Sequence, residues 1–433
     1  MKATEASVRY PAPAQDQVLH LARHLHDGQS RLLLTFSGRL DAERLTRAFE
    51  LSLDAEPVMG CRFVAHPWRP YWERLSDGKK AAALSIVERS DDDAINTWMG
   101  GSLDSSTDAQ VRVCLFRGAG DRLAVNVSHE SADGTGSRDY LILLAAIYRE
   151  LRTNPAYIPR PAPGRRLEQR EVFRHVGLRR LLRGCLHFSF PGPGVDFPAE
   201  GPGVPAFASR RVGPEGFARI RGYCREHGVT VNEVLTAAFY RSQFRVLSSP
   251  PAARLTVPIP INLRQYLPAG STWSICNLSG VFFGGVRNQS FDRMILDVRR
   301  LMASARSNEP WLGQAVVLEL MFLLPHALLQ PLFRRSISRQ IASGKVYPYI
   351  TNHGIIDTAP FDFGDAPLCD FDTWSPVPRH PLPVFSAYSV FDTLRLTVTT
   401  RDQPNGSKAE RLLDAYFQEL PGHVPPAAKA VRR

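Results

Sequence analysis

The 433-residue sequence contains no C-x-x-C pair, no G-x-S-x-G elbow, no G-x-x-x-x-G-K-[ST] loop and no second histidine completing an H-E-x-x-H pair. Those absences exclude, in turn, a zinc or dithiol redox site of that type, an elbow-type serine hydrolase, a phosphate-loop enzyme and a helical zinc protease. The six cysteines (Cys61, Cys114, Cys185, Cys224, Cys276, Cys369) are scattered and read as reduced thiols, and no metal site is expected. The most apolar stretch, 311–333, is interrupted by Gln314, Glu319, Pro325, His326 and Gln330. It falls short of the roughly 20 unbroken apolar residues of a membrane span, and a buried or interfacial helix is expected instead. The opening residues Met1-Lys2-Ala3-Thr4-Glu5, followed by Pro11 and Pro13, lack an apolar signal segment, so a cytoplasmic location is expected.

What is present is 44% apolar and 22% charged residues, enough for a sizeable core, over a length that suits two lobes of about 200 residues each. Lys and Arg number 53 against 42 Asp and Glu, a formal charge of +11. Such a balance suits a lipid headgroup, a phosphorylated cofactor or an acidic carrier protein, and equally plain solubility. Nucleic acid is not an expected partner, because the basic run at 165–183 lacks interleaved aromatic stacking positions.

Strand-like and helix-like patterns alternate through the first third of the chain, the mark of an α/β (α+β) protein. A strand is expected at 31–36, then a turn through Gly38-Arg39-Leu40-Asp41 into a helix capped by Asp41, with Leu45, Ala48, Phe49 and Leu53 on one face. A further strand is expected at 61–64, and 111–116 and 123–127 read as a hairpin over a five-residue loop. Ser137 is the expected cap of a helix running through Leu151.

Prolines 155, 159, 161, 163, 191, 193, 198, 202 and 205 mark 156–205 as a connector between an N-terminal lobe (1–155) and a C-terminal lobe (206–433). Within it, 165–183 reads as one basic helix carrying seven arginines, suited to phosphate, membrane or a carrier protein, or to a solvated face. The second lobe mixes helices at 214–227 and 231–246 with strands at 254–258, 278–283 and 394–399.

The chemistry concentrates where the apolar strand Leu123, Val125, Val127 gives way to Ser128-His129-Glu130-Ser131-Ala132-Asp133-Gly134. The end of a strand before a helix is where α/β proteins tend to place sites. An imidazole titrates near neutrality and suits general-base work, so His129 is the candidate base. Asp133 is placed to fix the loop, and Gly134 to let the chain turn sharply and the backbone approach a ligand.

This segment resembles the HHxxxDG signature of the chloramphenicol acetyltransferase-like superfamily, which includes condensation domains, alcohol acetyltransferases, wax ester synthases and the BAHD acyltransferases. Ser128 stands where that signature has its first histidine. Other stretches resemble the superfamily in the expected order: 36–49 (FSGRLDAERLTRAF), 228–238 (GVTVNEVLTAA) and 257–264 (VPIPINLR). Asp362-Phe363-Gly364-Asp365-Ala366-Pro367 is similar to the DFGWGKP element, with Asp365-Ala366 in place of Trp-Gly.

The resemblance implies two lobes in a V with a central tunnel and His129 at its middle. It implies acyl transfer from a thioester, of coenzyme A or of an acyl carrier protein, to an alcohol or amine acceptor, with no bound cofactor. Ester formation is the first expectation. Amide formation in the manner of a free-standing condensation enzyme, or a non-catalytic binding protein retaining the fold, are the alternatives. The resemblance further implies that Asp133 turns away from substrate into a bidentate pair with Arg264. It makes Asp362, Phe363 and Gly364 supporting residues, and Asn352 and Thr351, in the segment Thr351-Asn352-His353-Gly354 after a strand at 346–350, oxyanion or substrate contacts. Ser128 is a second polar contact, and 311–333 is expected in the core, along an acyl channel or on a membrane.

Overall fold

Strict alternation along Arg122–Ser128 decides the first sheet. Leu123, Val125 and Val127 enter a core shared with Leu45, Phe49, Leu141, Leu144 and Tyr148 of helices Ala42–Ala55 and Gly134–Thr153. Ala124 faces the other side, with Leu33, Met99, Cys114 and Phe116. The computed structural model describes residues 8–162, 166, 168–191, 194–196, 203–271, 274–379, 383–404 and 406–422. Pro163, Arg165, Pro193, Pro198 and Pro202, which entered the reading of the connector, lie outside the described residues.

The N-terminal sheet has five strands in the order Leu368–Trp374, Gln29–Phe36, Arg122–Ser128, Val111–Phe116, Leu84–Val87. The expected hairpin is there, with Val113 opposite Val125 and 117–121 as its loop. Asp41 caps its helix by accepting from the Arg44 backbone N–H. Leu368–Trp374 arrives from far along the segment placed in the C-terminal lobe and pairs antiparallel with Gln29–Phe36. Its Phe371 is fully buried in the N-terminal core, and it covers an edge that would otherwise expose the apolar strand Leu32-Leu33-Leu34 to unwanted pairing.

The second lobe is built on Tyr349–Ile355, Val384–Val390, Thr393–Asp402 and Val204–Val212, beside the antiparallel pair Arg254–Asn262 and Ser279–Arg287. Helix Val231–Val246 starts at a reciprocal cap between Thr230 and Glu233 and is buried along nearly its whole length. Thr351-Asn352-His353-Gly354 lies inside strand Tyr349–Ile355 rather than after a strand, because this segment pairs in parallel with Val384–Val390.

Three other expectations are corrected. The stretch 311–333 is two helices, Pro310–Met321 and His326–Ser343, parted at Pro325, which lacks the N–H needed to continue a helix. The basic run is likewise two helices, Gln169–Val176 and Leu178–His187, parted at Gly177. Several of its arginines are answered internally: Arg170 by Glu319 at 2.8 Å, Arg174 by Glu171, and Arg180 and Arg183 by Glu309. Finally, the helix expected to start at Ser137 starts at Gly134 under an Asp133 cap.

Asp362, Phe363 and Gly364 sit at the far end of that helix, more than a dozen residues from the histidine motif, or about 20 Å at 1.5 Å per residue. Phe363 is fully buried between Phe36 and Tyr148, with ring centroids 5.5 and 5.2 Å away. Arg149 and Arg152 donate to the carbonyls of Asp362 and Gly364. Asp365 receives both Nη1 bonds of Arg44, at 2.8 and 2.9 Å, and the Tyr148 hydroxyl. The element fastens the motif helix instead of touching the histidine. Phe363→Ala is therefore expected to cost roughly 3–5 kcal/mol of stability. Chemical denaturation of wild type and variant measures it, and an unchanged midpoint would show that the element holds nothing.

Candidate active site

Ser128 ends the central strand, and its carbonyl accepts from the backbone N–H groups of Ser131 (3.0 Å) and Ala132 (3.1 Å) and from Ser131 Oγ (2.9 Å). This tight turn lifts His129 out of the sheet and leaves it half-buried, while its backbone N–H is held by the Gly28 carbonyl at 2.7 Å. The imidazole is oriented by its own loop: Nδ1 lies 3.1 Å from the Ala132 carbonyl oxygen. A carbonyl can only accept, so in the neutral ring Nδ1 carries the proton and Nε2 carries the lone pair. Among the described residues Nε2 has no hydrogen-bond partner. The ring of His26 stacks at 6.2 Å, and burial, with help from the neighbouring His129, lowers the His26 pKa to about 4.

Asp133 turns inward. Its Oδ1 caps the motif helix by accepting from Gly136 N–H at 2.8 Å, and its Oδ2 accepts from Arg264 Nη1 and from Leu278 N–H, each at 2.8 Å. Burial works to raise the carboxyl pKa, but Arg264 and the backbone N–H groups prevail and hold it below the usual aspartate range. The pair is not bidentate: Arg264 Nη2 is taken at 2.8 Å by the Cys276 carbonyl, so the guanidinium fork is shared between carboxylate and main chain. Burial pushes the adjacent Cys276 thiol up to about 12.

Gly134 makes no sharp turn. It is the first residue of the helix, and a side chain there would bring a Cβ within 2.8 Å of His353 Cε1. Gly136 meets a similar limit, since its Cβ would stand 2.7 Å from the Cys276 carbonyl oxygen. The two glycines let the second lobe close directly onto the start of the motif helix. Burial, with Arg138 nearby, lowers the His353 pKa to about 3, so the ring packed on Gly134 is neutral.

Asn352 is exposed; its Nδ2 donates to Asn232 at 2.9 Å and its Oδ1 accepts from Gly354 N–H. It lines a cavity of about 420 Å³ with Asn232, Thr230, Arg221, Leu235 and Tyr388. Among the described residues no hydrogen bond joins Asn352, Thr351 or Ser128 to the His129 ring.

Sequence reasoning missed the groups that brace the motif from outside it. Arg166, read as part of a surface helix, is buried: it donates to the Ser131 carbonyl and, at 2.9 Å, to that of Ile275, and its Nε lies 2.7 Å from Asp16. Trp72 Nε1 and Asn277 Nδ2 also bond to Asp16, at 2.9 and 3.2 Å, and Asn277 holds the Glu130 carbonyl. The Glu130 side chain meets His20 Nδ1 at 2.7 Å. Nothing local distinguished Arg166 from the arginines around it.

No protein-family model matches the chain. A phthiocerol/phthiodiolone dimycocerosyl transferase of Mycobacterium leprae is 24% identical over 257 residues, 54% of this chain and 59% of that protein, so the match spans less than two thirds of the relative. Among solved structures, polyketide synthase associated protein 5 of Mycobacterium tuberculosis superposes with a TM-score of 0.63 at 15% identity, covering 96% of this chain and 98% of that one. The first condensation domain of the CDA synthetase gives 0.66 at 16%, covering 96% and 97%. The trichothecene 15-O-acetyltransferase of Fusarium sporotrichioides gives 0.69 at 11%, covering 97% and 96%. The chain has the two-lobe condensation-domain fold. The fold expected from the motifs is thus the fold observed.

A buried pair broken on one side leaves an uncompensated charge, so Asp133→Asn is expected to cost about 3–5 kcal/mol. Because the Asp133 pKa is depressed in the folded state, its contribution is present above the unfolded carboxyl pKa and is lost as pH falls through the folded value. The stability gap between wild type and variant should hold at neutral pH and narrow below about pH 4; pH-dependent denaturation checks this, and a gap insensitive to acid would refute it. His26 and His353 act at higher pH. Their folded pKa values of about 4 and about 3 lie below the ordinary 6.5, so the unfolded chain gains protons first and stability falls as pH drops below 6.5. His353→Gln should flatten that slope in the same measurement.

Proposed function

We propose that this protein is an acyltransferase in which His129 Nε2 takes the proton of an acceptor hydroxyl as the oxygen attacks an acyl thioester. The single observation that carries the reading is the 3.1 Å contact between Nδ1 and the Ala132 carbonyl, which leaves an unprotonated Nε2 on a half-buried ring. The oxygen–carbonyl bond forms, the tetrahedral oxyanion collapses, and the carbon–sulfur bond breaks. The proton held on Nε2 goes to the departing thiolate, so the products are an ester and a free thiol and no acyl-enzyme is needed.

Support comes from the company of the fold. One similar protein is named as an O-acetyltransferase and another as a dimycocerosyl transferase. The condensation-domain neighbours favour a second arm of the same reading, in which the donor rides on a carrier protein and an amine replaces the alcohol. Asp133 and Arg264 act as positioning residues, since both are committed to each other and to the main chain. In this reading the substrates meet at His129 between the lobes, and Asn352, on the strand that reaches Gly134, serves as an oxyanion or substrate contact.

The test is thiol release, with product mass, from acyl-coenzyme A and acyl carrier protein donors of graded length supplied with mixed alcohols and amines. Loss of a general base typically costs 10²–10⁴-fold, so His129→Ala should lower the rate by about that factor while keeping the wild-type thermal midpoint. Wild-type turnover in the variant, or silence of the wild type toward every donor, would defeat the proposal.

A further inference from the structure

A cluster of apolar side chains is left uncovered where two helices meet. Trp68, Leu320, Leu323, Leu324, Leu328 and Leu332 are each between 48% and 64% exposed. They are brought together by backbone bonding: Ala327 N–H donates to the Pro67 carbonyl at 2.8 Å, and Arg69 donates to the carbonyls of Phe322 at 2.7 Å and Leu323 at 3.1 Å. Trp68 is thereby fixed against the turn between Pro310–Met321 and His326–Ser343. The other face of the same helices is spent on the interior, with Trp311, Leu312, Ala315, Leu318 and Leu329 buried.

Charge is arranged around this patch. Leu328, Leu332, Arg335 and Arg339 follow an i, i+4, i+7, i+11 spacing, which at 3.6 residues per turn puts them on one exposed stripe of His326–Ser343. Arg334, Arg335 and Arg339 are exposed and have no acidic partner among the described residues, and the helix contains no Asp or Glu. This differs from the basic run at 169–187, where Arg170, Arg174, Arg180 and Arg183 are neutralised by glutamates. A tryptophan and five leucines flanked by unanswered arginines suit a surface that is apolar below and anionic above.

We propose that this face docks on an anionic lipid surface, with Trp68 and the leucines entering the headgroup boundary and Arg334, Arg335 and Arg339 engaging lipid phosphates. No helix among the described residues is long and apolar enough to cross a membrane, so the contact is peripheral. Acidic side chains alone would satisfy the arginines but would leave the apolar side chains in water, whereas a lipid surface meets both. The proposal rests on this surface alone and stands apart from the acyl-transfer reading.

The experiment is flotation of the full chain with unilamellar vesicles of phosphatidylcholine, with and without about 30% phosphatidylglycerol, in low and high salt. Wild type should float with the anionic vesicles at least tenfold more than with the neutral ones, and salt should weaken the association. The double variant Leu323→Glu/Leu328→Glu should lose flotation at least tenfold, and Arg334→Gln/Arg335→Gln/Arg339→Gln should abolish the preference for anionic lipid, both with wild-type thermal midpoints. Absence of flotation, or flotation unchanged in the variants, overturns the proposal. So does a wild-type dimer in light scattering that the leucine variant dissociates, which would make this face a contact between two copies. Retention of an acidic acyl carrier protein through the same residues, without vesicle binding, would likewise overturn it in favour of a protein partner.

Discussion

The clasp between Asp133 and Arg264 carries the organisation of this molecule. One carboxylate closes the first turn of the motif helix, pairs with a guanidinium from the other lobe and receives the N–H of Leu278 just before strand Ser279–Arg287. Taking such charges out of water is expensive, and here the carboxylate is answered by three donors, the N–H groups of Gly136 and Leu278 and the Arg264 guanidinium. The second lobe can approach this closely only because Gly134 and Gly136 carry no side chain at the contact. The interaction that makes the loop rigid is thus also the one that joins the lobes.

Around the clasp, a second buried set holds the same loop from behind. Arg166 and Asn277 take the carbonyls of Ser131 and Glu130, and Asp16 ties both donors to the N-terminal helix Ala14–Leu21. Loop carbonyls that are fixed in this way cannot swing to other donors, so the Ala132 carbonyl remains aimed at His129 Nδ1. An imidazole held in one tautomer and one orientation by its own loop is preorganised. Buried Arg166, Arg264 and Arg31 are each matched by an aspartate, Asp16, Asp133 and Asp27, so these pairs leave the net charge of +11 unchanged.

The expected histidine motif, the hairpin that presents it, the Asp41-capped helix and the Val231–Val246 helix were legible from residues a few positions apart. The misreadings share one cause. Ser137 and Asp133 are both good caps, and the choice fell to Asp133 because its second oxygen has partners in the other lobe. The arginines of 165–183 read alike, yet Arg166 is buried against Asp16, 150 residues away, while its neighbours meet glutamates on Pro310–Met321 or beside it. Asp362, Phe363 and Gly364, read as supporting residues, support the motif helix at its far end, a position that no local pattern specified.

Residues a few positions apart were enough to place the alternating strands, the helices at 42–55 and 231–246, and the imidazole at the end of a strand. Those outcomes depend on side-chain period, proline and caps, all of them local. Long-range packing is what brings Leu368–Trp374 into the first sheet, divides the Arg264 fork between Asp133 and Cys276, and closes His353 on Gly134. Asp133 and Arg264 are 131 residues apart, and their pairing was expected only from the resemblance, since periodicity and spacing select no one arginine at that separation. The choice is made by which backbone groups are already buried beside the carboxylate when the two lobes meet, because a buried charge is tolerated only where such partners exist.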